Sequence, residues 1–409
     1  MKRLFITFSS ILIILFISLL FFESREWGAA TRTNLAEEEW IGAWTAAMQE
    51  PAEKGPSREG FENKTIRQVI HPHLDGKSMR IRLSNEFGTE PLMIEEVRVA
   101  RSKSGAELIS GSDQALTFNG QKKVTIPPGE KLHSDALSFE VTAGQNLAVS
   151  IYVQKATGPA TFHARSMQTT YIAKDNHLKD SGTQAFTEEE ETWFWLEGLD
   201  VVPASSVKGA LVIVGSSIEN GNYSTVNANH RWPDFLAKRF NESAGEWSVL
   251  NAGISANHLI KSHADKGENT LNRLERDVFS QPGVKAMILN QGINDIRHYP
   301  DYTSEDLINK MEEVIQAAHD KGIAIYGGTL MPFKGSSKYS DEKEKIRVEV
   351  NEWIRTSGEF DGVIDFDEAL RDPDNPERFH PDFDAGDHLH PNDKGYEKMA
   401  ETVDLTMFE

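Results

Sequence analysis

The feature that most limits what this chain can fold into is a change of hydrophobic period at Pro203. Beyond it, short wholly apolar stretches at residues 211–214, 247–250, 286–289, 323–326 and 363–366 alternate with helical patterns. The helical stretches are 231–240, the face Leu271/Leu274/Val278, the face Leu307/Met311/Val314/Ile315/Ala318, the face Ile346/Val350/Trp353, and 396–403. Thr303 and Asp306 form a capping pattern ahead of the third. Strands that are apolar on every side must be covered on both faces, and helices between them supply the cover. The pattern therefore predicts an α/β unit over residues 205–409, a doubly wound, five-stranded parallel sheet flanked by helices.

Before Pro203 the period is two. Met79, Ile81 and Leu83 alternate with Arg80, Arg82 and Ser84, and residues 137–141 and 147–153 repeat the alternation. Turn signals stand between them at Asp75-Gly76, Asn119-Gly120, Pro127-Pro128-Gly129 and Ala143-Gly144. Half-buried strands with frequent turns predict an all-β sandwich over residues 40–202. The glutamates at 188–191 read as a solvated loop. Trp193 and Trp195 read as core, with sugar stacking as the alternative.

Lys2 and Arg3 precede the charge-free apolar run 4–22, which Glu23, Arg25 and Glu26 end. Residues 1–30 are thus expected to be a signal peptide, cleaved near Gly28 and Ala30, or a membrane anchor, with 31–39 as linker. Either form places the remainder outside: secreted, or held at the outer face of the cytoplasmic membrane by residues 4–22. The membrane is then a partner only through that segment.

Composition removes whole classes of chemistry. The net charge of −20 leaves no general basic surface for nucleic acid. With 0 cysteines there is no disulfide scaffold, thiolate metal site or cysteine nucleophile, so the chemistry must use oxygen and imidazole.

In doubly wound sheets ligands bind at the carboxyl ends of strands. The first strand is followed by Gly215-Ser216-Ser217-Ile218-Glu219-Asn220-Gly221, the second by Asn251-Ala252-Gly253-Ile254-Ser255-Ala256-Asn257, the third by Gln291-Gly292-Ile293-Asn294-Asp295. Asp387-His388-Leu389-His390-Pro391-Asn392 follows the fifth. A serine hydroxyl attacks only when an imidazole takes its proton, and a carboxylate holds that imidazole in the right tautomer. Ser217, His390 and Asp387 can supply these groups. The backbone N–H groups of Ser217 and Ala256 and the side-chain amide of Asn294 are candidate oxyanion donors.

Taken together these blocks resemble the SGNH hydrolase superfamily of GDSL-type esterases, whose motifs are Gly-Asp-Ser-Ile/Leu, a second-block glycine, Gly-x-Asn-Asp and Asp-x-x-His-Pro. The resemblance covers residues 205–409, and the preceding sandwich is similar to the first domain of a two-domain secreted branch. It implies an SGNH-like, flavodoxin-like fold and a serine carboxylic-ester hydrolase (esterase) that needs no cofactor. It also implies Ser217 as nucleophile, His390 as base, Asp387 as its orienting acid, and Ser217, Ala256 and Asn294 as the oxyanion hole. Two positions depart from the motifs. Ser216 replaces the aspartate before the nucleophile, and Ala256 replaces the second-block glycine, which would be strained if the backbone there needs a positive φ.

Other readings of the same residues are a divalent-metal hydrolase using His380, His388 and His390 with Asp382, Asp384 and Asp387, and a catalytically weak or inactive glycan-binding protein. Within the esterases, the expected substrate is an ester of a carbohydrate, an O-acetylated polysaccharide, or a short acyl chain; a lipase or acylhydrolase on lipid esters is the alternative.

Overall fold

The computed structural model describes residues 39–243 and 246–409. The expected export segment and the linker as far as residue 38 lie outside them. Among the described residues, no helix is long and apolar enough to cross a membrane.

Beside the two-stranded pairs Phe162–Ala164/Thr192–Phe194 and Leu92–Ile94/Val124–Ile126, two larger antiparallel sheets, packed over a shared core, make up most of the β-rich part. One runs Ile41–Thr45, Leu196–Pro203, Gly76–Ser84, Lys131–His133. The larger runs Phe186–Glu190, Thr170–Lys174, Lys64–Ile70, Leu147–Val153, Glu96–Ser104, Glu107–Leu108, with Gln114–Leu116 also pairing to Glu96–Ser104. Ile66, Ile81, Leu83, Val97, Val99, Val149, Ile151 and Leu199, each 0% exposed, fill the space between. Trp193 and Trp195 belong to this core; Trp193 sets its ring edge-on to Trp44 and donates its indole N–H to Val69 O at 3.0 Å.

Three local expectations change. The glutamate run is not a loop but part of the edge strand Phe186–Glu190, because backbone pairing to Thr170–Lys174 needs no apolar face on the solvent side. Residues 137–141 form no continuous strand: Leu137 bridges Met79 and Val141 bridges Gly76, while Phe139 is buried between. The last parallel strand ends at Ile364, since Asp365 accepts from Glu368 N–H and starts the short helix Phe366–Leu370.

From Gly209 the chain builds a parallel sheet in the order Trp247–Gly253, Gly209–Gly215, Val284–Asn290, Ala324–Gly328, Gly362–Ile364. This 2-1-3-4-5 order reverses direction between Gly209–Gly215 and Val284–Asn290, and the crevice at such a reversal is where ligands bind. Helices Trp232–Ser243, Ser304–Asp320, Asp341–Thr356 and Asp393–Thr402 cover it. Thr303 and Asp306 do form the capping box, Asp306 Oδ2 accepting from Thr303 N–H at 2.8 Å. The helix expected at Leu271–Val278 is Thr270–Leu274 continued by a π-helical turn, Glu275–Phe279.

Residues Trp40–Glu409 form one compact unit. The side of the smaller β-sheet that its alternation marks as polar faces the α/β layer rather than water. Arg82 is buried there, paired to Asp200 and donating to Gln281 Oε1 at 2.7 Å. Ile41–Thr45 lies against Trp247–Gly253, where Ser248 Oγ donates to Gly42 O at 2.6 Å. A Cβ on Gly42 would stand 2.8 Å from Leu250 Cδ1, so a larger residue here would have to displace the Leu250 side chain.

Candidate active site

The 209–215 strand ends in a sharp turn into a one-turn helix, Ser217–Asn220. Glu219 folds back over the turn and accepts the Ser216 N–H at 2.8 Å. It leaves no room at Gly215, where a Cβ would be 2.0 Å from Glu219 Oε2. The Glu219 carboxyl is fully enclosed, and burial pushes its pKa up to about 7. Arg273, wholly buried, ties together the strand ends on either side, donating to Gly215 O at 3.0 Å and Ala252 O at 2.6 Å.

The turn delivers Ser217 Oγ to 2.7 Å from His390 Nε2. His390 Nδ1 lies 2.6 Å from Asp387 Oδ2, and Asp387 Oδ1 accepts the backbone N–H groups of Leu389 (3.1 Å) and His390 (2.9 Å). Burial pushes the Asp387 carboxyl up, but the hydrogen bond and charge of His390 and the two N–H groups outweigh it and bring the pKa down to about 2. The three residues thus form one chain of hydrogen bonds from carboxylate to hydroxyl.

The three oxyanion candidates converge on the same pocket: Ser217, Ala256 and Asn294 all line it. Ala256 has φ +63°, the left-handed conformation in which its methyl group is strained. Asn294 Nδ2 donates to Asn257 O at 3.0 Å and Asn294 Oδ1 accepts from Arg297 at 3.3 Å, which fixes the amide and leaves one N–H to spare. Asp295 ties this loop to the preceding one by accepting Leu259 N–H (2.8 Å) and Ile260 N–H (3.0 Å).

The residues of the metal reading do not converge. His388 Nδ1 turns to Asp384 Oδ2 at 2.5 Å, away from the His390–Asp387 pair. No group of three His, Asp or Glu placed to hold a metal occurs among the described residues.

Residues 213–398 match the sequence model of the GDSL-like Lipase/Acylhydrolase family. This chain carries a GDSL acylhydrolase domain. It is a carboxylic-ester hydrolase domain, and solved structures similar to it include three hydrolases. A GDSL-like lipase from Bacteroides thetaiotaomicron is 16% identical over 49% of this chain and 87% of that one, TM-score 0.37. A carbohydrate acetylesterase family member from Sinorhizobium meliloti is 13% identical over 48% and 98%, TM-score 0.40. The aryl esterase of M. smegmatis is 12% identical over 47% and 94%, TM-score 0.38. No curated protein matches.

The acylhydrolase pocket, about 380 Å³, has a wall that sequence reasoning missed. Gln49, Ala164 and Arg165 from the β-sandwich line it beside Ser217, Asn222, Ser255, Asn294, Arg297, His298 and His390. Asn220, one turn from the nucleophile, fastens that wall. Its amide donates to Arg165 O (2.8 Å), Asn222 Oδ1 (3.0 Å) and Ser255 Oγ (3.0 Å), and its Oδ1 meets His163 Nε2 at 2.7 Å. Tyr223 was missed too. It is 55% exposed, has φ +70°, and stacks on the His390 ring with centroids 5.0 Å apart. No local period marks these residues; only the Asn220 and Ser255 positions fall within motif blocks the sequence displays.

Proposed function

We propose that this protein is an extracellular serine esterase that removes short acyl groups from a polar alcohol, an O-acetylated carbohydrate in particular. The Ser217–His390–Asp387 chain of hydrogen bonds carries the catalytic assignment. Ser217 Oγ attacks the ester carbonyl while His390 Nε2 takes its proton, and Asp387 holds the imidazole with Nδ1 protonated and stabilises the imidazolium that forms. The oxyanion is met by the N–H groups of Ser217 and Ala256 and by Asn294 Nδ2, each donor lowering the barrier by about 3 kcal/mol. His390 returns the proton to the leaving alcohol, and water releases the acyl group by the same route.

The pocket wall supports the substrate class. Its lining residues are polar or charged except for Ala164 and Ala256, so no large aliphatic or aromatic side chain lines it to receive a long acyl chain. Exposed Tyr223 offers the flat apolar face on which a sugar ring stacks. The apolar run 4–22 behind Lys2 and Arg3 supports action outside the cytoplasm, secreted or anchored.

Labelling by a fluorophosphonate and hydrolysis of p-nitrophenyl acetate test the nucleophile. Ser217→Ala abolishes both and Ser216→Ala keeps both; equal loss from the two substitutions would overturn the assignment. Acetate release from acetylated polysaccharides, set against esters of graded chain length, tests the substrate. Rates that rise steadily with chain length would overturn the acetyl preference.

A further inference from the structure

Acidic side chains outnumber basic ones enough to give the protein a net charge of −20, yet the pocket around Ser217 has the opposite balance. Arg165, Lys266 and Arg297 line it, with Asp265 as the single carboxylate in the lining. The three cations come from separate places: Arg165 from the β-sandwich, Lys266 from the loop after the second parallel strand, Arg297 from the helix Ile293–His298 that carries Asn294. None of them has a carboxylate within 4.0 Å among the described residues. Arg297 holds an enclosed Nε without an acceptor, and its one side-chain bond goes to the neutral Asn294 Oδ1. Asp387, whose charge acts on it, is already engaged by His390.

Lys266 and Arg297 are half-buried, and the backbone that presents the exposed Arg165 side chain is held in place. Arg165 has φ +53°, a left-handed backbone that an arginine adopts only under constraint. The constraint is Asn220, whose amide holds the Arg165 carbonyl from the helix that begins at the nucleophile. The field at the pocket agrees. His298 is lowered to about 4, first by burial and then by Lys338, Arg297, Lys266 and Lys343 together.

We propose that this wall is an anion subsite and that the alcohol part of the substrate carries a carboxylate: the natural ester is an O-acetyl group on an acidic, uronate-bearing polysaccharide. This rests on the esterase reading above. An acetyl group is too small to bring a charge of its own, so the negative group must lie on the sugar. Guanidinium groups suit a carboxylate because they offer paired donors in one plane. The reaction remains ester hydrolysis, with acetate and the free polysaccharide hydroxyl as products.

The test compares kcat/KM for acetylated uronate oligosaccharides and acetylated neutral xylo-oligosaccharides, with p-nitrophenyl acetate as the uncharged reference. The uronate ester is expected to be preferred by on the order of tenfold at low salt, the value of one charge-assisted contact. The preference should shrink towards one in about 1 M salt, where screening reaches within about 3 Å. In the Arg165→Gln/Lys266→Gln double variant it should collapse through KM, and Arg165→Glu should favour the neutral ester. An enzyme that cleaves p-nitrophenyl acetate but shows no charge preference overturns this proposal alone; a folded protein that cleaves no ester and takes no fluorophosphonate overturns the esterase reading. Salt-sensitive cleavage of dihexanoyl phosphatidylglycerol without cleavage of the uronate ester overturns the glycan assignment.

Discussion

Replacing Asp387 by asparagine isolates what the carboxylate does, because the surrounding geometry dictates how the amide must sit. Asp387 Oδ1 accepts two backbone N–H groups, at 3.1 Å and 2.9 Å, and Oδ2 faces His390 Nδ1 at 2.6 Å. An amide turned to give oxygen to the imidazole would press its NH2 against two N–H donors. The substituted side chain is therefore held with oxygen on the backbone and nitrogen towards His390. The ring must answer with an unprotonated Nδ1, which puts the proton on Nε2, the atom 2.7 Å from Ser217 Oγ. The base is then occupied before the reaction starts. The expected loss in kcat is about four orders of magnitude, or about 5 kcal/mol of barrier. Both backbone bonds survive, so the melting temperature should change little. Initial rates on p-nitrophenyl acetate and the rate of fluorophosphonate labelling would both report the loss. A loss under about tenfold in Asp387→Asn, with the fold intact, would mean that another group sets the tautomer, and the reasoning would fail.

Two further outcomes follow from the same region. Ala256→Gly removes a methyl group from a left-handed residue, relieving about 1 kcal/mol, while extra freedom of the unfolded chain takes back about 0.4–1 kcal/mol. The melting temperature should hold or rise slightly and kcat/KM should persist, because the N–H is the working group; a drop on the order of tenfold in kcat/KM, ~1.4 kcal/mol, would show that the methyl itself matters. Glu219 keeps its proton in the fold up to about pH 7, against an ordinary value of 4.5, so the native state binds more protons than the unfolded one between those limits. Its contribution is fully present below pH 4.5 and is lost as pH rises through about 7, a swing on the order of 3 kcal/mol. Glu219→Gln, which can still accept the Ser216 N–H, should flatten thermal stability against pH across that window; an unchanged slope would refute the assignment.

The reach of the sequence is clearest where structure is local. The five apolar strands, the Thr303–Asp306 cap and the motif blocks at strand ends are readable because each depends on neighbours within a few residues. The strain at Ala256 was foreseeable as a condition, since a methyl group stands where the resembled motif has glycine, but the φ itself was not. Arg82 shows why the rest was hidden. Its place in an alternating strand says that it leaves the β-core, yet whether it meets water or Gln281 depends on a partner 199 positions away. The edge strand at Phe186–Glu190 was hidden for a related reason, since backbone pairing leaves no mark in side chains that face solvent. Arg165 and Gln49 reach the pocket only because two sheets of different origin are pressed together.

The Asn220 amide has a consequence for how such a protein can vary through time. Recombination that swapped everything before Pro203 for an unrelated module would remove the His163 ring and the Arg165 carbonyl at one stroke. The amide nitrogen would keep Asn222 and Ser255, but its buried oxygen, one turn from the nucleophile, would be left without a partner, at a cost of about 1–3 kcal/mol. A change on either side of this seam therefore constrains which changes the other side can accept without loss of stability.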